Sequence, residues 1–295
     1  MTKSPGKIAL IAPARKMEAA DIEIGKQCLQ KWGFQLTEGA HLYSQHNQFA
    51  GTDNERILDF QNALNDPTVT ILLCARGGYG SLRIVDAIDF TAANNKIIAG
   101  YSDITVFHNH LISKHNIPSL HCTMPVNMAS NSSEALESLK DALLRKNLHY
   151  EIAAHSLNKT GDAEGVLFGG NLSLIYAMNG SSSLPNPEGK ILFLEDLDEY
   201  LYHIDRMMLN LKRSGILQKI AGLIIGGFTG MKDNPTPFGK TAEQIIQEHT
   251  QEYNYPVCFG FPAGHVNDNR ALIMGGTTRL TVNPDKVIVR STWEQ

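Results

Sequence analysis

The stretch VTILLCARGGYGSLRIVDAI, residues 69–88, contains the pattern that decides the fold. An apolar run with the character of a β-strand is followed by a glycine-rich turn and then by a helical pattern. The same alternation continues on both sides of this stretch, in KIALIA (7–12), FQLTE (34–38), DNERILDFQNALND (53–66), KIIAG (96–100) and an amphipathic segment from Asp103 to about Lys114. Strands that alternate with helices in this way predict βαβ units and a parallel sheet.

We therefore expect an α/β fold that opens with a Rossmann-like domain over residues 1–146. The alternation is lost in LHYEIAAHSLNKTGD (148–162), which is polar and ends in a Gly-Asp turn signal, so we predict a linker over 147–163. The remaining segment, 164–295, ends in short, closely spaced β-like runs: PVCFGF, ALIMGG, RLTVN and KVIVR. These predict a smaller, β-rich C-terminal domain.

Composition excludes several classes of protein. The formal net charge is −4 and no basic run is present, so nucleic acid is an unexpected partner. The N-terminal apolar stretch, Ile8 to Pro13, is short and lacks a signal cleavage site, and no window approaches the roughly 18 apolar residues that span a bilayer.

The four cysteines form no C-x-x-C pair and are expected to be reduced thiols: Cys28, Cys74, Cys122 and Cys258. These features predict a cytoplasmic protein with no membrane partner.

The segment IIAGYSDIT, residues 97–105, places Ser102 between an apolar strand and a helix. A tight strand-to-helix turn presents a hydroxyl at the carboxyl edge of the sheet, where open α/β sheets bind their ligands. The turn also aims the backbone N–H of Asp103 at an oxyanion formed on the group that Ser102 attacks. The alternative role for Ser102, taken from this segment alone, is that of a helix cap.

A second glycine turn, CARGGYGSLRI (74–84), also follows an apolar strand. It is not a nucleotide-phosphate loop, because it has no G-K-[ST] and Arg83 stands where G-x-G-x-x-G requires its third glycine. We expect it to supply a second oxyanion donor or to bind a substrate carboxylate. Arg76 and Tyr79 are candidates for that carboxylate, although Arg76 could equally form a structural ion pair.

A serine nucleophile needs a base and an acid that orients the base. His265 lies in a loop, GFPAGHVNDNRAL (260–272), between two strand-like runs, and Glu195 ends the apolar strand of KILFLEDLDEY (190–200). A metal site is not expected in the cluster of histidines at positions 108, 110, 115 and 121, because positions 108 and 110 point to different helix faces and no H-E-x-x-H motif is present.

The sequence resembles the LD-carboxypeptidase family, whose branches include murein tetrapeptide carboxypeptidases and microcin C immunity proteins. The stretches that carry the resemblance, in family order, are ARGGYGSLRIVDAIDF, AGYSDIT, EGVLFGGNLSLI, ILFLEDLDEYLYHIDRMMLNLK, GLIIGGFTG and GFPAGH. The resemblance implies a Ser102–His265–Glu195 triad, a Rossmann-like domain followed by a smaller β-rich domain, a homodimer, and no metal or cofactor. One departure is Met274, where family members often carry a proline.

The resemblance implies a serine carboxypeptidase that releases terminal D-alanine from a murein tetrapeptide. From the two strand-end turns we expect the amides of Gly78 and Asp103 to bind the oxyanion. One alternative is an immunity-type hydrolase of a peptide-nucleotide or acyl-sulfamoyl adenylate. The loop MNGSSSLPNPEG (178–189) carries no aromatic residue that could stack on a base, which favours the muropeptide. A second alternative is a non-catalytic protein that binds a small anion at the glycine turns of Gly77 and Gly170.

Overall fold

The computed structural model describes residues 6–294 and contains two β-sheets with helices packed against them. The strands are β1 Lys7–Ile11, β2 Gln35–Glu38, β3 Val69–Cys74, β4 Ile97–Gly100, β5 Ser119–His121, β6 Leu148–Ala153, β7 Gly161–Asn171, β8 Ile191–Leu197, β9 Gly222–Thr229, β10 Val257–Cys258, β11 Leu272–Met274, β12 Thr277–Val282 and β13 Lys286–Ser291. The α-helices are α1 Glu23–Lys31, α2 Asp53–Asn65, α3 Ser81–Ile84, α4 Thr105–His115, α5 Ser133–Leu143, α6 Leu172–Met178, α7 Leu201–Arg213, α8 Ile216–Lys219 and α9 Ala242–Thr250.

The first sheet has the order β11-β5-β4-β3-β1-β2 and is parallel apart from its edge strand β11. Strand β3 is buried along almost its whole length, as expected for a parallel strand covered on both faces. Helix α2 begins with a capping box in which Thr52 and Glu55 satisfy each other's backbone N–H groups. The Rossmann-like, largely parallel sheet predicted from the alternating pattern is confirmed.

The second sheet has the order β10-β9-β8-β7-β12-β13-β6 and is mixed. Strands β7 to β10 pair parallel to one another, whereas β12, β13 and β6 pair antiparallel. The antiparallel pairs agree with the short, closely spaced β-like runs at the end of the sequence, which have no helical pattern between them. The expected two-part α/β architecture with a β-rich second part is therefore confirmed.

Two segments differ from their sequence interpretation. The run ALIMGG, which the sequence places in the second domain, contains β11. This strand pairs antiparallel with β5 and so becomes the edge strand of the first sheet. The segment 147–163, predicted as a linker, contains β6 paired with β13; its polar character follows from alternate exposure of side chains along an edge strand. The domain bounds 1–146 and 164–295 stay a prediction, and residues 1–5 and 295 of those ranges lie outside the described residues.

No helix among the described residues is long and apolar enough to cross a membrane. All four cysteines are free thiols, and Cys74, Cys122 and Cys258 are buried, as the sequence predicts.

Candidate active site

The two sheets meet at a cleft of about 300 Å³. The side chains and backbone that line it come from the carboxyl ends of several strands and the loops after them: Arg15, Arg76, Gly77, Gly78, Tyr101, Ser102, Met124, Val126, Asn127, Leu197 and His265. Of the residues predicted from sequence, Ser102, His265, Gly78 and Arg76 are therefore brought together here. Tyr79 is 46% exposed and lies outside this lining, with its ring against Phe49.

Ser102 lies in a strained turn between β4 and α4. Its φ of 64° is in the left-handed region, which costs a non-glycine residue on the order of 1–3 kcal/mol. A short 3-10 helix, Ser102–Ile104, joins the turn to α4, as the expected strand-to-helix geometry requires. Gly77 leaves room for the serine, because a Cβ on Gly77 would lie 3.0 Å from the Ser102 Cβ.

The surroundings hold this turn in place. The Gly100 carbonyl accepts a hydrogen bond from the Cys122 amide at 3.2 Å and lies 2.9 Å from His108 Nε2. Tyr101 donates its hydroxyl to Asn127 Oδ1 at 3.2 Å. These groups fix the residues near Ser102, so tertiary contacts offset the free-energy cost of its left-handed backbone conformation.

The predicted oxyanion donors lie on two adjacent turns. Gly78 follows β3, has a φ of 114°, and its amide makes no hydrogen bond within residues 6–294. Asp103 follows Ser102, and its buried carboxylate accepts the Ser81 amide at 2.8 Å, which ties the glycine turn to the serine turn. Burial raises the pKa of the Asp103 carboxyl despite that hydrogen bond. The arrangement leaves the Gly78 amide available to a ligand in the cleft.

Glu195 is fully buried in β8 at a local register shift, where Gly226 and Gly227 of β9 lie opposite it. Such bulges re-aim side chains and are common next to active sites. Oε2 of Glu195 lies 2.6 Å from His265 Nδ1 and also accepts the His265 amide at 3.2 Å. The structure therefore brings the two residues that the sequence predicts as base and acid into direct contact.

The loop that carries His265 is fixed by main-chain and side-chain hydrogen bonds. The amide of Gly227 donates to the Ala263 carbonyl at 2.9 Å, and the Thr229 hydroxyl donates to the His265 carbonyl at 3.1 Å. Asn269 Oδ1 accepts the Gly264 amide at 2.8 Å. These bonds fix the position of a loop between two strands, which suits a catalytic side chain.

The electrostatic environment of His265 is set by burial and by carboxylates. Burial by itself lowers the pKa of His265, but the charge and hydrogen bond of Glu195, with a further contribution from Asp196, outweigh it and raise the pKa above its ordinary value. Asp196 is also buried; desolvation, with the neighbouring Glu195 charge, raises its pKa to about 7. The imidazolium that forms when His265 accepts a proton is thus stabilised.

His265 and Ser102 face the same cleft, but the side-chain hydrogen bonds of His265 within residues 6–294 reach only Glu195. The Tyr101 ring lies against the imidazole, with centroids 4.9 Å apart. Catalytic hydrogen bonds are often long in unliganded enzymes and tighten when substrate binds, so the lack of a Ser102–His265 hydrogen bond among the described residues is compatible with a serine–histidine pair.

Sequence reasoning missed Arg15, Asn127 and Leu197 as cleft residues. Arg15 follows the apolar run of β1 in IAPAR, in the same way that Ser102 follows β4, so the strand-end argument could have identified it. Neither Arg15 nor Arg76 forms an ion pair in the described part of the chain. The cleft therefore carries two unpaired positive charges.

The loop 178–189 and the histidine cluster at positions 108, 110, 115 and 121 do not line the cleft. The loop 178–189 packs on α4, where Ser183 bonds His110 at 2.9 Å and the Ser182 carbonyl accepts the Ser113 hydroxyl. Because the loop lies outside the cleft, its lack of aromatic residues does not indicate which substrate the cleft binds.

His108 bonds Ser119 and the Gly100 carbonyl. Within residues 6–294 no group of three or more His, Cys, Asp or Glu side chains is placed to hold a metal ion.

Comparison with known proteins yields consistent matches. Residues 8–122 match the LD-carboxypeptidase N-terminal domain, and residues 164–280 match the LD-carboxypeptidase C-terminal domain. A Bacillus subtilis protein named "Probable murein peptide carboxypeptidase" is 30% identical over 291 residues, covering 96% of this chain and 91% of that protein.

Two solved structures show the same fold over nearly the whole chain. The muramoyltetrapeptide carboxypeptidase from Oxalobacter formigenes superposes with a TM-score of 0.89 at 29% identity, covering 97% of this chain and 98% of that one. The microcin C7 self immunity protein MccF superposes with a TM-score of 0.87 at 21% identity, covering 99% of this chain and 98% of that one. At that lower identity the second match establishes the fold alone.

Proposed function

The chain belongs to the LD-carboxypeptidase family, and on that basis we propose that it releases terminal D-alanine from a murein tetrapeptide by cleaving the L,D-peptide bond. The observation that carries the proposal is the pairing of His265 with buried Glu195 at 2.6 Å, in a cleft that also holds Ser102 in a strained turn. A serine, a histidine and a buried carboxylate at one cleft are the parts that acyl transfer from a peptide requires.

In the proposed mechanism, Ser102 Oγ attacks the carbonyl carbon of the residue before D-alanine, and its proton passes to Nε2 of His265. Nδ1 of the same ring stays bonded to Glu195, which stabilises the imidazolium. The oxyanion is bound by the amides of Gly78 and Asp103. Collapse of the tetrahedral intermediate breaks the peptide bond, and His265 protonates the departing amine of D-alanine. Water then hydrolyses the acyl-enzyme, with His265 as the base.

We further propose that Arg15 and Arg76 bind carboxylates of the substrate. Both line the cleft beside the nucleophile turn, and neither has an acidic partner within the described residues. The tetrapeptide L-alanyl-D-glutamyl-diaminopimelyl-D-alanine carries several carboxylates, and a guanidinium binds a carboxylate through two parallel hydrogen bonds. Tyr79 supports this role less well, because its side chain lies against Phe49 and outside the cleft lining.

We place the enzyme in the cytoplasm, acting on muropeptides recovered from the cell wall. The four free thiols support a reducing compartment.

We also propose that the enzyme forms a homodimer. Leu197, which lines the cleft, is 40% exposed, and so are Tyr200 and Tyr202, whose rings contact each other; these side chains provide apolar surface for a second copy. Sedimentation equilibrium at micromolar concentration tests the dimer, and a single species at the 32.5 kDa monomer mass contradicts it.

The test of function is an assay of D-alanine release from tetrapeptides that contain diaminopimelate or lysine, run beside hydrolysis of an acyl-sulfamoyl adenylate. We expect release of D-alanine by the wild type, and loss of release in a folded Ser102→Ala variant. Cleavage of the adenylate alone would assign the chain to the immunity branch. Binding of the tetrapeptide without turnover, and with no adduct of a fluorophosphonate on Ser102, would instead support a non-catalytic anion-binding protein.

A further inference from the structure

Helix α4, which follows the nucleophile turn, is joined to strand β7 by hydrogen bonds from two fully buried side chains. Asn109 accepts the Gly169 amide on Oδ1 at 3.1 Å and donates to the Gly169 carbonyl through Nδ2 at 2.8 Å. Thr105 Oγ1 accepts the Asn171 amide at 3.0 Å. The helix that starts beside Ser102 is thus fixed to the main chain of the second sheet.

Two consecutive glycines let β7 fit closely between α4 and β8. Gly170 has a φ of +127°, and a Cβ there would lie 2.4 Å from Thr105 Oγ1. Gly169 has a φ of +119°, and a Cβ there would lie 2.0 Å from the Phe193 carbonyl oxygen. No residue with a side chain fits at either position, so Gly170 is matched to the surface of α4 and Gly169 to the backbone of β8.

The same segment of β7 lies beside the predicted acid. In the parallel pairing of β7 with β8, Asn171 is opposite Glu195. The Asn171 side chain donates to Asp196 Oδ1 at 2.8 Å, and Asp196 also accepts the Ser173 amide at 2.9 Å. A continuous series of hydrogen bonds therefore runs from the start of α4, through β7, to the residue next to Glu195.

We propose that Thr105 and Asn109 are positioning residues, whose hydrogen bonds to Gly169 and Asn171 set the distance between Ser102 and the His265–Glu195 pair. The inference rests on the proposed function, since it assumes that these three residues react together. Ser102 belongs to one sheet and its partners to the other, and no hydrogen bond within residues 6–294 links Ser102 to His265. Misplacement of reacting groups by about 1 Å can cost on the order of 100-fold in rate.

The experiment compares Thr105→Val, which keeps the shape and loses the hydroxyl, with Thr105→Ser, which keeps the hydroxyl. We expect Thr105→Val to lower kcat for D-alanine release about tenfold, with KM within about twofold of wild type. The rate at which a fluorophosphonate labels Ser102 should fall in the same proportion. Thr105→Ser should restore both rates, because Oγ can again accept the Asn171 amide. Asn109→Asp, which sets a carboxylate oxygen against the Gly169 and Thr105 carbonyls, should reduce kcat further.

A purely structural role predicts a different result: a lower thermal midpoint for Thr105→Val, with kcat and the labelling rate at 25 °C equal to those of wild type. That outcome would overturn the proposal even if Asn109→Asp fails to fold. A wild-type protein that neither releases D-alanine nor is labelled at Ser102 contradicts the proposed function itself and removes the positioning role with it. The two failures are therefore distinguished by the behaviour of the wild type.

Discussion

His265 is bound twice to one oxygen of Glu195, through ring Nδ1 at 2.6 Å and through its own backbone amide at 3.2 Å. Since the ionised carboxylate only accepts hydrogen bonds, Nδ1 carries a hydrogen in the neutral ring, and the lone pair belongs to Nε2. The contact therefore selects the tautomer in which the other nitrogen is free to take a proton from Ser102.

The first prediction concerns the pH dependence of Glu195→Gln. The base must be neutral to act, so kcat/KM of the wild type should rise with pH through the raised pKa of His265, above its ordinary value of 6.5. The substituted amide removes the charge that raises this pKa and leaves the burial that lowers it. We expect the acidic limb of the profile to move to lower pH, and kcat to fall by at least about 100-fold, since the imidazolium is no longer stabilised.

Steady-state kinetics between pH 5 and 9 measures both effects, with circular dichroism as the control for folding. A limb at the same pH in both proteins would show that Glu195 does not set the titration of His265, and would count against the triad.

The second prediction concerns Gly264→Ala, in the residue before His265. Gly264 has a φ of +102°, and a Cβ at this position would lie 2.6 Å from Glu195 Oε2. The methyl group can be accommodated only if the loop moves away from Glu195, which separates the histidine from its acid. We expect kcat to fall about 100-fold or more. Gly239→Ala is a matched control, because Gly239 also has a positive φ (+85°) but no heavy atom within 4 Å of the place where the added methyl group would lie.

The position of Ser102 can be predicted from the order of residues along the chain, whereas the contact between Glu195 and His265 depends on how the chain packs. The strand-to-helix position of Ser102 is predicted from an apolar run followed by Gly100, because strand ends are visible in the sequence. The contact between Glu195 and His265 could be expected only from resemblance to a family, since the two residues are 70 positions apart. No local pattern reports such a distance.

The pairing of Leu272–Met274 with the first sheet was not predicted for a related reason. A three-residue apolar run has the same sequence pattern in either sheet, and only the exposed edge of β5 decides where it pairs. The strand-end argument makes Arg15 a candidate, but an isolated arginine after a strand has the same pattern whether it faces a cleft or solvent, and only the fold places it beside Ser102.

The third prediction concerns the two unpaired arginines of the cleft. If Arg15 and Arg76 bind substrate carboxylates in both the ground state and the transition state, Arg15→Ala and Arg76→Ala should each raise KM about tenfold with kcat nearly unchanged. Arg290→Ala, on the exposed surface of β13, is the control and should leave both constants unchanged. A fall in kcat at constant KM would instead place the arginine in contact with the transition state.

The fourth prediction concerns the stability of Asp196→Asn as a function of pH. Burial and the Glu195 charge raise the pKa of Asp196 from 3.8 to about 7, so between these values the folded state holds a proton that the unfolded chain has released. Stability falls with rising pH wherever the folded state binds more protons, so the contribution of Asp196 decreases by about 1.4 kcal/mol for each pH unit. The asparagine side chain of the variant cannot titrate and lacks this dependence.

Urea denaturation of both proteins between pH 4.5 and 6.5 measures the difference. His265 has a pKa above 6.5 when folded, so it stays largely protonated over most of this range and adds little to the slope. We expect the free energy of unfolding of the wild type to fall relative to Asp196→Asn by on the order of 2–3 kcal/mol across the range. Parallel curves would mean that Asp196 is ionised throughout, which its three hydrogen bonds from Asn171, Ser173 and Leu197 would then be strong enough to maintain.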